Sequence, residues 1–239
     1  MEIARLEKLL QQFVPKAVAD QAIANPDEVR LGGQKREVTV LFADIRGFTP
    51  LSEVWGPDSL MDILNRHFEI VGHILTEHGG AITQFSGDMI MALFNAPAEQ
   101  PDHPLRAVRA GLAMQAALAR WQEESYGLSY AAEFGIGINT GAAVVGYLGF
   151  EQRLDYTAIG EAINIAARLS GMAQGSEILL GPQTYQAVHS SIHTEMVGPL
   201  RLKGKIAPIT TYRALASLAS AGDKGELEQT DGETGSAVS

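Results

Sequence analysis

The stretch Val38-Thr-Val-Leu-Phe-Ala-Asp-Ile-Arg-Gly-Phe-Thr49 decides how the rest of the chain reads. Five of its first six residues are β-branched, aromatic or leucine, which predicts a buried strand. The strand runs into Asp44 and then a glycine turn, Arg46-Gly47. An acid at the end of a buried strand is costly unless a cation sits on it. Gly47 frees the backbone to bend, so that successive N–H groups point at an anion where the next helix starts. A carboxylate beside an N–H cradle suits a metal-bound polyphosphate. The plainer alternative is a strand–turn–helix corner whose Asp caps the helix.

A second acid follows 44 residues later, in Ala81-Ile-Thr-Gln-Phe-Ser-Gly-Asp-Met-Ile-Met-Ala-Leu-Phe94. The segment reads as two apolar strands around Ser86-Gly87, a two-residue hairpin signal with Asp88 at the tip. Two strand-end carboxylates suit two divalent cations about 3.5–4 Å apart, the arrangement used for in-line phosphoryl displacement.

Size and charge narrow the classes. The 239 residues, 46% hydrophobic, fit one domain with flanking segments. Cysteine is absent, which excludes disulfides and thiolate metal sites. No apolar run reaches the ~18 residues of a membrane span, and the start lacks a signal-peptide core. The expectation is a soluble, cytoplasmic chain without membrane contact of its own; an anchor elsewhere in a longer parent stays open. The net charge of −10 argues against a nucleic-acid partner.

Ile3, Leu6, Leu10 and Phe13 form a short a/d seam that Pro15 ends. It is either a helix packed on its own domain or a dimer-forming signalling helix. Asn25-Pro26-Asp27 and Gly32-Gly33 predict a linker, so residues 1–34 stand as an N-terminal helix and linker. After Thr49, Pro50 suits a helix start. Leu60, Ile63, Leu64, His67, Phe68, Val71, Ile74 and Leu75 then give one apolar helix face, stopped by His78-Gly79-Gly80. His67 and His73 read as core or surface histidines rather than metal ligands.

Leu105, Val108, Leu112, Ala116 and Ala119 predict a second amphipathic helix ending near Trp121. Ala132–Asn139 reads as a strand, Thr140-Gly141 as a turn and Ala142–Leu148 as a further short strand. Gly135-Ile-Gly137 lies within a strand and lacks a helix-opening glycine, so it reads as close backbone packing and not as a dinucleotide fingerprint. Gly149–Asp155 is a polar excursion. Tyr156–Leu169 predicts a strand end, a glycine turn and a helix, with Asn164 and Arg168 sharing one face at i, i+4. Glu177–Leu180 is a strand, Pro182–Val188 a short helix, Arg201–Lys205 a basic turn and Ile209–Arg213 the last strand. Residues 216–239 read as a disordered acidic tail. The order β-α-β-β-α-β predicts an α+β fold with a ferredoxin-like, palm-like core: a mostly antiparallel sheet with helices on one face.

FADIRGFT, FSGD, DYTAIGEAINIAARL and LKGK stand in an order and spacing that resemble the class III nucleotidyl cyclases, over Glu37 to Arg213. The resemblance implies a cyclase catalytic domain over residues 35–215. It implies that Asp44 and Asp88 bind two Mg²⁺ or Mn²⁺ ions, with the Ile45 carbonyl assisting. Gly47, Phe48 and Thr49 resemble the turn that receives the β- and γ-phosphates. Asn164 resembles the residue that orients the ribose, and Arg168 the one that stabilises the pentavalent α-phosphate. Lys203, or Lys205 as second choice, resembles the lysine that reaches the terminal phosphates.

Two positions depart from familiar adenylate cyclases. The base-reading lysine is Gln84 and its partner aspartate is Thr157; threonine there resembles one adenylate-cyclase subgroup. Glu161 also stands where Asp is commoner. The activity implied is ATP to 3′,5′-cyclic AMP and pyrophosphate at a homodimer interface, where two chains complete each site. Guanylate or dual specificity is the alternative, and a non-catalytic nucleotide-binding dimerisation module the rival of another class.

Overall fold

The computed structural model describes residues 2–48, 56–124, 132–201 and 208–217. Thr49, Pro50, Lys203, Lys205 and residues 218–239 of the expected acidic tail lie outside them, whereas Ala216 and Ser217, expected in that tail, belong to the last strand, where they pair with His193 and Ile192.

Strand β1 (Gly32–Ile45) is the axis of the sheet. It pairs antiparallel with β3 (Met89–Phe94) on one side and with β4 (Phe134–Phe150) on the other. Strand β2 (Ala81–Ser86) closes the hairpin with β3, and β5 (Arg153–Ile159) runs back along β4. The remaining strands are β6 (Ile178–Leu180), β7 (Ile192–Leu200) and β8 (Ile209–Ser217). The order is β2-β3-β1-β4-β6-β8-β7, and every pairing but β4–β6 is antiparallel. The strands β2-β3-β1-β4, with helices α3 (Pro57–Glu77) and α4 (His103–Glu124) as crossovers, make the expected βαββαβ core. The sequence carries no signal for strand β7: its apolar residues are interrupted by His193, Thr194, Glu195 and Gly198, and among the described residues it pairs only with β8.

The unbroken apolar run in β1 has a structural cause: both faces of the strand are covered. Leu41, Ala43 and Ile45 pack with Val71 and Leu75 of α3 and with Val108 and Met114 of α4. Val38, Val40 and Phe42 point the other way, onto Ile163 and Ala166 of α5 (Glu161–Met172). The helices therefore do not all lie on one face, as the ferredoxin-like expectation had it. The third covers the opposite face because residues of both parities along β1 are apolar.

Helix α3 buries His67, Val71 and Leu75, as the periodicity predicts, and starts at Pro57. Helix α4 turns a different stripe inward: Ala107, Val108, Gly111, Met114 and Leu118 are buried, Leu105 and Leu112 flank them, and Ala116 and Ala119 are exposed. Alanine is too small to mark a face by itself, and Gly111 sits inside because a Cβ there would already touch Ile138 and Ile178 at 3.4 Å.

Thr140-Gly141 is not a turn. Strand β4 runs unbroken for 17 residues, with Thr140 opposite Thr39 and Gly141 opposite Val38. The Thr140 hydroxyl is buried between those of Thr39 (2.7 Å) and Thr184 (3.0 Å), and Thr39 also bonds His103 Nδ1 at 2.8 Å. This buried chain satisfies groups that read locally as turn formers. Gly32-Gly33 likewise opens β1 rather than a linker, because its backbone pairs with Tyr147 and Gly146. Most of the supposed polar excursion before Asp155 belongs to β4 or to β5, which begins at Arg153.

Ahead of β1, α1 (Glu2–Leu10) and α2 (Lys16–Ala24) meet at Pro15. Helix α2 buries Val18 and Ala19, whereas Leu6, Leu9 and Phe13 stay exposed. Helix α6 (Pro182–Val188) matches the short helix expected there.

Candidate active site

Asp44 is the penultimate residue of β1, opposite Met89 on one side and Gly135 on the other. Asp88 lies in the hairpin loop Gly87-Asp88, one residue beyond the expected Ser86-Gly87, because Ser86 still pairs with Met89. Gly87 takes φ +61, a conformation that favours glycine. The Ile45 N–H donates to the Asp88 carbonyl at 3.4 Å, so the end of β1 and the hairpin tip adjoin. The two carboxylates consequently act on each other. Burial, and after it the Asp88 charge, push the Asp44 carboxyl above its ordinary value of 3.8; Arg46 pulls the other way. Two acids held together at this cost form a site that favours added positive charge. Among the described residues no cluster of three or more His, Cys, Asp or Glu gathers, so a cation here would rest on two carboxylates plus backbone and ligand oxygens. That donor set suits Mg²⁺ or Mn²⁺.

Arg46 is the residue that sequence reasoning passed over. Its backbone N–H donates to the Glu133 carbonyl at 2.8 Å. Its Nη1 donates to Asp44 Oδ2 at 3.1 Å, and its Nη2 donates to the Ser170 carbonyl at the end of α5. The guanidinium lies against Gly135, where a Cβ would overlap its Nη2, Nε and Cζ. Its Nε is buried and has no hydrogen-bond partner among the described residues. The signal available was Gly135 itself, expected to pack closely against backbone; the structure puts the Arg46 side chain there, and the backbone contact is at Gly137. Gly47 (φ +72) follows, exposed, and Phe48 is half-buried against the core shared by α3 and α4.

Helix α5 is seated by backbone contact. A Cβ at Gly137 would overlap the Ser170 nitrogen and the Ala166 carbonyl, so β4 and α5 touch only because that residue is glycine. Asn139 Nδ2 donates to the Ala162 carbonyl (3.1 Å) and Ser170 Oγ to the Gly135 carbonyl (3.0 Å). Ala162, Ile163, Ala166 and Leu169 face inward; Asn164 is exposed and Arg168 half-buried. Gln84 is exposed on β2 opposite Met91, and Thr157 is half-exposed on β5 opposite Gly146. Strands β2 and β5, which carry these two residues, approach one another.

The site residues thus fall into two groups. Asp44, Ile45, Asp88, Gly47 and Phe48 gather where β1 meets the hairpin tip. Asn164 is exposed and Arg168 half-buried on α5, and among the described residues the charges that shift Asp44 are those of Asp88 and Arg46. His67 is a core histidine, fully buried. Its Nδ1 bonds the Ile63 carbonyl (2.7 Å), its Nε2 accepts the Ala132 N–H (2.7 Å), and its ring meets Trp121 edge-on. His73 is exposed on α3.

Comparison with known proteins shows the family to which this fold belongs. The sequence model of the Adenylate and Guanylate cyclase catalytic domain matches residues 32–215. Adenylate cyclase 1 of Rhizobium meliloti is 31% identical over 208 residues, which is 85% of this chain and 31% of that protein. The chain spans less than half the length of that relative and of the Dictyostelium discoideum and Anabaena cylindrica adenylate cyclases it also matches (10% and 44%). Among solved structures, the adenylyl cyclase CyaB from P. aeruginosa superposes with TM-score 0.74 at 35% identity, covering 80% of this chain and all of that one. The guanylyl cyclase Cya2 does so with the same score and identity, over 80% and 98%. A sheet that ends in two adjoining aspartates, backed by a helix carrying Asn164 and Arg168, belongs on this match to the class III adenylate and guanylate cyclase catalytic domains, and the chain is a member of that family.

Proposed function

We propose that the chain is an adenylate cyclase: the ribose 3′-oxygen of ATP attacks the α-phosphorus in line, the bond to pyrophosphate breaks, and the 3′-hydroxyl proton leaves to solvent. The observation that carries this is the pair Asp44 and Asp88, two like charges held together where burial already disfavours one of them. Asp44, Asp88 and the Ile45 carbonyl would hold Mg²⁺ or Mn²⁺, which supplies a lowered pKa for the 3′-hydroxyl and neutralises phosphate charge. Gly47, Phe48 and Thr49 would offer backbone N–H groups to the β- and γ-phosphates. Lys203, or failing it Lys205, would reach the terminal phosphate.

Arg168 would stabilise charge on the pentavalent phosphorus and Asn164 would orient the ribose, both acting through groups placed before the reaction begins. Within one chain Asn164 is exposed and Arg168 half-buried on α5, and this supports sites completed by two copies, Asp44 and Asp88 of one facing Asn164 and Arg168 of the other. Residues 35–215 form the catalytic domain on this reading, joined by Gly32–Gln34 at the start of β1, and the helices ahead of β1 either pack on their own domain or bring the two copies together. Among the described residues no helix is long and apolar enough to cross a membrane, and nucleoside triphosphate as substrate favours the cytoplasm.

Guanylate or dual specificity is the second reading, favoured by one observation: neither Gln84 nor Thr157 has a fixed hydrogen-bond polarity, so the pair fits either purine edge. Turnover of ATP and GTP side by side with Mn²⁺, for the wild type, Asp44→Asn and Asp88→Asn, tests the proposal. Each substitution is expected to cost at least about 100-fold, or ~2.7 kcal/mol, with the fold intact by circular dichroism. A variant that keeps more than about a tenth of the wild-type rate would sink the two-cation reading.

A further inference from the structure

We infer that Arg46 is a positioning residue that locks the Asp44 carboxylate to helix α5, so that what binds at Asp44 is felt at the helix carrying Asn164 and Arg168. The guanidinium donates in two directions at once, to Asp44 Oδ2 (3.1 Å) and to the Ser170 carbonyl, residues that lie 126 apart in sequence and on different elements. It cannot swing aside freely. Its own backbone N–H is held by Glu133, its guanidinium rests against Gly135, and among the described residues its Nε has no partner toward which it would turn. Ser170 is in turn fixed, since its hydroxyl donates to the Gly135 carbonyl (3.0 Å) and the chain around it touches Gly137.

A planar fork with parallel donors transmits direction in a way that a point charge does not. A cation at Asp44 competes with Nη1 for carboxylate oxygen, and any resulting shift of Arg46 reaches the last turn of α5 through Nη2. The inference rests on the proposal of sites shared by two chains for its consequence. There, the Asp44 of one site and the Asn164/Arg168 helix of the other belong to the same chain, and Arg46 is the link between the two sites.

Hydrogen exchange of the amides at 169–173, with and without Mn²⁺, tests the bridge in the full chain. Mn²⁺ is expected to change their exchange by at least about threefold in the wild type and by less than about 1.5-fold in Arg46→Met, in the manner of a site-to-site coupling. Arg46→Lys is expected to behave like Arg46→Met, because one ammonium cannot reach both acceptors in fixed directions. In turnover, Arg46→Met is expected to lower kcat about tenfold with the nucleotide KM changed less than about twofold, since the substrate is not touched.

Should Arg46→Met fail to fold, Gly135→Ala displaces the guanidinium while keeping its charge and is expected to lose the Mn²⁺ response alike. An equal Mn²⁺ response in Arg46→Met and wild type overturns the bridge. So does restoration by Arg46→Lys, which would mean that charge alone matters, and so does the lack of any response in the wild type. Asp44→Asn separates the two readings: if it keeps wild-type turnover, the cation site itself is wrong. If it is inactive while Arg46→Met keeps the Mn²⁺ response, only the bridge falls.

Discussion

Gly137→Ala puts the seating of α5 to the sharpest test. The new methyl would overlap the Ser170 nitrogen and the Ala166 carbonyl, and would lie 2.8 Å from the Leu169 carbonyl carbon. All three are backbone atoms of one helix, so no change of rotamer relieves the clash and α5 must back away from β4 by about 1 Å. Overpacking of this kind costs about 1–3 kcal/mol. At about 2–4 °C per kcal/mol for a domain of this size, Tm should fall by roughly 2–12 °C. Turnover should fall further than stability. On the proposed roles of Asn164 and Arg168, a displacement of α5 by about 1 Å costs on the order of 100-fold.

Gly171→Ala on the same helix is the control. A Cβ there meets nothing within 4 Å, so the change is expected to raise stability by about 0.4–1 kcal/mol with turnover kept. Differential scanning calorimetry, with initial rates taken well below both Tm values, measures the pair. If Gly137→Ala melts within about 1 °C of wild type and keeps more than half its activity, α5 is not seated as described and the reasoning is refuted.

Three further outcomes are expected. Asp44→Ala and Arg168→Ala proteins should each be inactive and regain activity when mixed, because one of the heterodimer's two sites then has every group; no recovery after verified subunit exchange would place the site within one chain. Gln84→Lys, a donor only, should sharpen preference for ATP, and Gln84→Glu, an acceptor only, should move kcat/KM toward GTP from a wild-type discrimination below roughly 1,000-fold. If neither moves the ratio, Gln84 does not read the base. His67 sets an acid limit on stability: burial holds its pKa below 6.5, so below pH 6.5 the unfolded chain takes up a proton that the folded one refuses. Stability from this group is therefore complete above pH 6.5 and falls as pH drops, by up to about 1.4 kcal/mol per unit, until the folded pKa is passed. Urea midpoints at pH 7.5 and 5.5 should converge for His67→Gln relative to wild type, His103 continuing to act in the same direction; an unchanged pH slope would remove His67 as the source.

The sequence by itself determined whatever depends on neighbours along the chain. The unbroken apolar run of β1, the hairpin around Gly87 and the amphipathic face of α3 follow from residue type and period, and they place Asp44 and Asp88 at strand ends. That those ends adjoin required the pairing of β1 with β3, which the βαββαβ order implied. Tertiary structure decided the rest. Thr140-Gly141 reads as a turn because the partners that keep it extended, Thr39 and Thr184, come from other elements. Alternating polar residues hid β7 until β8 paired with it. An apolar run on both parities shows that both faces of β1 are covered, but only packing assigns α5 to one face and α3 with α4 to the other. Arg46 was beyond reach for the same reason. Its meaning lies in Asp44, Gly135 and Ser170 together, and a hydrogen bond spanning 124 residues leaves no periodic trace in either segment it joins.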